Sequence, residues 1–187
     1  YTTLFRSSTV AHCTELCGAV EEEMLCRAIA TTLAETQAFA LRFGERRGDA
    51  PPPLRHDPQR IPPLQRIDLQ THGDPWQAAQ SLMREDIAQR RALDSEPLAA
   101  AWLLKLGPER YLWYVRAHHI LVDGFGMALI EHRCAALYAH YLGEGSAGIP
   151  LGAFDAFQQA ELAYADSERC ERDRRFWHSY LPPSQAL

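Results

Sequence analysis

Trp113-Tyr114-Val115-Arg116-Ala117-His118-His119-Ile120-Leu121-Val122-Asp123-Gly124-Phe125-Gly126-Met127 is the run on which the fold turns. Residues 111–117 carry bulky side chains on both alternations, as in a strand covered on both faces of its sheet. After Gly124, the residues Met127, Leu129, Ile130, Cys134, Leu137, Tyr138 and Tyr141 fall at helical spacing, and the pattern stops near Gly143. The two histidines therefore sit between a strand and a helix. Three residues further on, Asp123-Gly124 adds an anion and a tight turn at the helix N-terminus. Consecutive side chains of a strand point to opposite faces, so His118 and His119 do not share one pocket while the chain stays extended. One is expected to be catalytic and the other structural. An imidazole titrates near neutral pH and suits general-base work. Asp123 can orient an imidazole or pair with a buried arginine, and Gly124 is expected to let the chain turn where a β-carbon would obstruct substrate. The chemistry leaves a second reading open: two histidines packed at a strand end, with an aspartate capping the next helix. No metal site is expected, because adjacent histidines diverge and no His-Glu-x-x-His pair is present.

Working outward, residues 97–106 form a second strand pattern, joined to 111–117 through Gly107-Pro108-Glu109-Arg110 as a hairpin. Upstream, Asp74-Pro75 is a helix start: aspartate accepts orphan amides, and proline costs no hydrogen bond at the first helical position. Trp76, Ala79, Met83 and Ile87 are expected to form its apolar face. The proline-rich run 51–63 reads as a surface connection and residues 44–48 as a polar turn. Phe39, Leu41 and Phe43 alternate as a strand. Residues 11–17 read as a strand closed by Gly18, followed by a helix on Val20, Met24, Leu25, Ile29 and Leu33. Two further helical patterns cover 154–164 and 169–180. Trp76, Trp102, Trp113 and Trp177 are expected in the core, and His132 and His140 on a solvated or half-buried helix face. The ensemble is mixed α/β.

Hydrophobic residues make up 47 % of the 187 and charged residues 23 %, the balance of a folded domain. A net charge of −5 gives a nucleic-acid backbone little to bind, so no nucleic-acid partner is expected. No apolar run reaches the roughly 20 residues that span a bilayer, so no membrane role is expected either. The five cysteines, Cys13, Cys17, Cys26, Cys134 and Cys170, contain no Cys-x-x-Cys pair and read as reduced thiols in a cytoplasmic protein. Residues 1–7, Tyr-Thr-Thr-Leu-Phe-Arg-Ser, look like the translation of a sequencing adapter and are expected to be non-native, leaving 8–187 as a subdomain truncated at both ends.

His118 to Gly124 resembles the His-His-x-x-x-Asp-Gly signature of the condensation domains of nonribosomal peptide synthetases, which belong to the chloramphenicol acetyltransferase-like superfamily. Val10-Ala11-His12, Leu41-Arg42-Phe43 and Arg172-Asp173-Arg174-Arg175-Phe176-Trp177 are similar to segments of that family in siderophore synthetases, so the resemblance spans roughly residues 9 to 182. It implies an α+β sandwich half-domain, a mixed sheet flanked by helices. It also implies amide formation between an upstream acyl or peptidyl thioester and a downstream aminoacyl amine. Both substrates would be carried on phosphopantetheine arms, with no cofactor bound by the domain itself. The implied partners are donor and acceptor carrier domains, an adjacent adenylation domain and the C-terminal half of the condensation domain. By the same resemblance His119 is the catalytic histidine, and Asp123 is held in an ion pair that supports the loop. Ala40 stands where the family usually has an arginine, so Arg42, Arg116 or a residue outside the chain is expected to serve Asp123. A standalone acyltransferase using coenzyme A and a non-catalytic carrier-binding half-domain are the alternatives. The chain alone is expected to be inactive.

Overall fold

In the computed structural model, which describes residues 9–44, 48 and 54–181, the histidine-bearing strand lies inside a four-stranded sheet. The chain forms two units, residues 1–151 and 152–187. In the first, β1 (Thr9–Cys17), α1 (Glu22–Glu35), β2 (Leu41–Phe43), β3 (Leu54–His56), β4 (Leu64–Asp68), α2 (Pro75–Ala88), β5 (Ala99–Gly107), β6 (Arg110–His118) and α3 (Gly124–Tyr141) follow in order. The sheet order is β1-β6-β5-β4, and β2 pairs β3 in a separate ribbon. β6 runs antiparallel to both β1 and β5, whereas β4 joins the far edge parallel to β5. The sheet is therefore mixed, and the β5–β6 hairpin closes through Pro108 and Glu109 as the sequence suggests.

Alternation along β6 assigns the two faces. Leu112, Tyr114 and Arg116 point to one side, where Leu112 packs with Ala79, Leu82 and Met83 of α2 and with Leu104 and Leu106 of β5. Tyr111 points to the other, and its hydroxyl donates to Glu22 of α1, which also takes Lys105 of β5. Helices α1 and α3 pack together, with Leu25, Ile29 and Leu33 of one and Met127, Ile130, Cys134 and Leu137 of the other buried. A two-bond pair from Arg133 to Glu35 links them, and Glu35 also accepts the Leu151 amide. α3 ends on Gly143 at φ +81°, with the Glu144 amide reaching back to the Ala139 carbonyl; that backbone suits glycine.

Expectations for three segments are corrected. Phe39 and Ala40 do not alternate in a strand: residues 37–40 form a 3-10 turn that buries both, and β2 begins at Leu41. The run 51–63 is more than a connection, since Leu54–His56 pairs with β2 and Pro58–Arg60 forms a 3-10 turn capped by Asp57; its residues 51–53, like 45–47 of the polar turn, lie outside the described residues. The short parallel strand β4 follows it, its register fixed by β5. On α2, Asp86 is buried in the apolar stripe while Ile87 and Trp76 are more than a third exposed. Trp76 instead lies under the Arg110 guanidinium, 5.0 Å away.

The second unit holds α4 (Phe154–Ala165) and α5 (Glu168–Tyr180), the latter capped by Ser167 accepting from the Cys170 amide. Trp177 is exposed rather than in a core; its ring meets Phe176 and Tyr180, neighbours on one helical turn. Of the aromatic four, Trp113 is buried and Trp102 packs against the α2 cluster.

Candidate active site

The strand alternation that separates the two histidines stops at His118, the last residue of β6. The chain then turns: the Leu121 amide donates to the His118 carbonyl at 2.9 Å, while the His118 amide holds the Leu98 carbonyl at 2.7 Å. His118 is half-buried, and its Nδ1 lies 3.1 Å from the Ile120 amide. An amide N–H only donates, so Nδ1 carries its lone pair and the neutral ring has its proton on Nε2. Burial, followed by the neighbouring His119, pushes the His118 pKa below its ordinary value. The ring is thereby kept neutral and used as an internal brace of the turn. His119, one residue on, is exposed.

Asp123 is the N-cap of α3, its carboxylate accepting the Gly126 amide at 2.8 Å. An anion at a helix N-terminus satisfies an orphan donor and complements the dipole, a contribution of about 1 kcal/mol. The arginines considered for it are engaged elsewhere: Arg42 donates to Asp57 at 2.9 Å, and Arg116 is buried against Asp86. Ala40, at the family's arginine position, is wholly buried. Backbone capping is thus the support that Asp123 has among the described residues.

Gly124 needs correction as a turn glycine. Its backbone is not left-handed, and a β-carbon there would meet nothing within 4 Å. Gly126 carries the steric demand, since a β-carbon there would lie 2.4 Å from Cγ2 of Val122. Around this turn Ile120, Phe125 and Leu129 are large exposed apolar side chains, Phe125 at 73 %. Exposed imidazole, open space at Gly124 and an apolar surround lie on one continuous segment.

The residue that sequence reasoning missed is Asp86. It is 5 % exposed and accepts from Tyr114 Oη (2.9 Å), Arg116 Nε (2.9 Å), Arg116 Nη2 (3.3 Å) and Arg91 Nη2 (2.7 Å). Burial, then the bond to Asp86, pushes the Tyr114 phenol well above its usual value, so it stays protonated as a donor. Arg116 lies two residues before His118, and its guanidinium also reaches the Pro97 carbonyl. Helix α2 thereby fixes the end of β6 from which the histidine turn departs.

The Condensation domain family matches residues 4–186. This chain belongs to the condensation domain family. It is 35 % identical over 188 residues to enterobactin synthase component F of Escherichia coli strain K12, covering 96 % of this chain and 14 % of that protein. It is 33 % identical to a dimodular nonribosomal peptide synthase of Bacillus subtilis strain 168, over 87 % of this chain and 7 % of the relative. Among solved structures it superposes on VibH, a condensation enzyme of nonribosomal peptide synthesis, with a TM-score of 0.85 at 30 % identity, over 96 % of this chain and 40 % of VibH. The starter condensation domain of rhizomide synthetase RzmA gives 0.81 at 28 % identity, over 96 % of this chain and 44 % of that one. The condensation domain residues here thus span less than half of those structures, and their mixed sheet flanked by helices is the chloramphenicol acetyltransferase-like architecture.

Proposed function

We propose that this chain supplies the histidine-bearing half of a condensation domain that forms an amide bond in nonribosomal peptide, and specifically siderophore, synthesis in the cytoplasm. The observation that carries the reading is the placement of His119, exposed on a braced turn beside the open space at Gly124. In the reaction, the amine nitrogen of the acceptor attacks the carbonyl carbon of the donor thioester, the carbon–sulfur bond breaks, and the thiol leaves with a proton. His119 is the group positioned to accept the amine proton or to hold the amine in line. General-base help of this kind is worth roughly 10² to 10⁴-fold, and orientation of two tethered substrates can exceed it. His118 plays a different part, because its neutral ring closes the turn through Ile120 and leaves the exposed position to His119. Asp123 starts α3 and does not attack substrate, and Gly124 leaves room for the reacting groups.

Donor and acceptor arrive on phosphopantetheine arms of carrier domains, with an adenylation domain loading the acceptor, and the remaining half of the domain supplies the opposing channel wall. The test is a complete condensation domain containing this half, supplied with loaded carriers and followed by mass spectrometry of the carrier-bound product. His119→Ala removes most of the product, and the 187-residue chain alone forms none. Undiminished product from His119→Ala overturns the role of His119, and an active isolated chain overturns the need for the second half.

A further inference from the structure

On the α2 face of the sheet, a cleft of about 470 Å³ is walled by the loop before β4, the C-terminal end of α2 and the first residues of β5. That size falls within the roughly 300 to 1,000 Å³ of small-molecule sites. Its floor holds the Asp86 cluster, in which one buried carboxylate serves two guanidiniums, those of Arg91 and Arg116. Arg116 and Asp86 are 4 % and 5 % exposed, so the charges are fixed parts of the wall. The Nε–H of Arg91 is buried with no partner among the described residues. At the rim, Arg60 donates to the Ser95 carbonyl and has no carboxylate at ion-pair distance among the described residues. Glu85 is the second acid of the lining, so three arginines face two carboxylates. A surplus positive charge in a partly desolvated wall is unfavourable until an anion joins it. Gln59, Gln65 and Gln89 add polar side chains to the lining, and Pro62, Pro63, Leu82 and Trp102, whose ring lies 4.9 Å from that of Tyr114, supply its apolar part.

We propose that this cleft is a binding site for a small organic carboxylate, its carboxylate held by Arg60 and the Arg91 side of the cluster and its apolar body against Trp102 and the two prolines. The thioester substrates of the proposed condensation carry their acyl carbon esterified to sulfur, so a free carboxylate here is a separate ligand and the site stands whether or not that reaction is confirmed. Arginine favours this chemistry because its planar fork meets both carboxylate oxygens.

The experiment titrates the 187-residue chain with benzoate, measuring binding by equilibrium dialysis and its location by tryptophan fluorescence. Benzamide, which keeps the ring and removes the charge, and inorganic phosphate, which keeps the charge and removes the ring, are the comparison arms. Saturable benzoate binding with a Kd of about 1 mM or tighter is expected, with a fluorescence change that disappears in Trp102→Phe. Arg60→Gln weakens it about tenfold or more, and Glu85→Gln, which removes the opposing rim charge, tightens it. No saturable binding, benzamide or phosphate binding as tightly as benzoate, a fluorescence response that survives Trp102→Phe, or equal affinity in both rim variants overturns the proposal.

Discussion

Removing the Asp86 carboxylate tests whether that group holds the end of β6 in place. Asp86→Ala leaves Arg116 buried beside a phenol and a second guanidinium with no counter-charge, and four hydrogen bonds to its two oxygens vanish together. Breaking a buried pair from one side costs about 3 to 5 kcal/mol, most of it the penalty of the orphaned charge. For a chain of this length each kcal/mol moves the midpoint by roughly 2 to 4 °C, so Tm falls by about 6 to 20 °C. Arg42→Gln is the control: its pair with Asp57 is 2.9 Å long, but the arginine side chain is 42 % exposed, and such pairs contribute about 1 kcal/mol or less. The double variant Asp86→Leu with Arg116→Met removes the most deeply buried of the orphaned charges, leaves Arg91 and the Tyr114 hydroxyl without this acceptor, and recovers part of the loss. Thermal and urea denaturation of the variants give the comparison. An Asp86→Ala that melts within a degree or two of the parent, or no better recovery in the double variant, refutes the cluster as a buried electrostatic brace.

His118 has a folded pKa below its unfolded value of about 6.5, so its stabilising effect is complete above that value and is lost as pH falls through the depressed one; His118→Asn, which retains an acceptor for the Ile120 amide, flattens this part of the Tm–pH profile, and an unchanged slope between the two proteins refutes the bracing role. The bond from Lys105, with those from Arg66 and Tyr111, pulls the Glu22 carboxyl down from 4.5 to about 2, so its stabilising effect is full above about pH 4.5 and disappears as pH falls toward 2; Glu22→Gln removes that acid-range loss, which denaturation across pH 2 to 6 reads directly. Gly126→Ala forces Val122 aside and destabilises by about 1 to 3 kcal/mol, whereas Gly124→Ala, facing open space, changes Tm little; equal effects of the two on melting contradict the assignment of the close approach to Gly126.

What was legible in the sequence was what local periodicity dictates. The β5–β6 hairpin, α1, α2 and α3 and the two late helices follow apolar spacing, cap residues and turn residues that act within a few positions of one another. The edge elements were less visible. β4 carries few apolar residues and exists because β5 offers it a parallel partner, a contact some 37 positions away in sequence, as Leu64 facing Ala101 illustrates. Likewise Phe39 and Ala40 are buried side by side in a 3-10 turn, so a two-residue period could not describe them.

At the candidate site, the order of residues announced a turn with two unlike histidines, but the reason for their difference lies elsewhere. The alternation of a strand ends at His118, and it is the Ile120 amide on Nδ1 that commits this ring to the turn and leaves His119 as the exposed one. The same applies to support from a distance. Asp86 carried a readable signal: it falls seven residues after Ala79 and three after Met83, inside the apolar stripe of α2, where a lone carboxylate demands a cation. Arg116 supplies the matching signal, a charge at a position of β6 whose neighbours Leu112 and Tyr114 on that face are buried. Each looked like an exception to its own element. Taken together, two inward charges of opposite sign on elements that share a face predict one ion pair, and that pair anchors the strand end from which the histidine turn leaves.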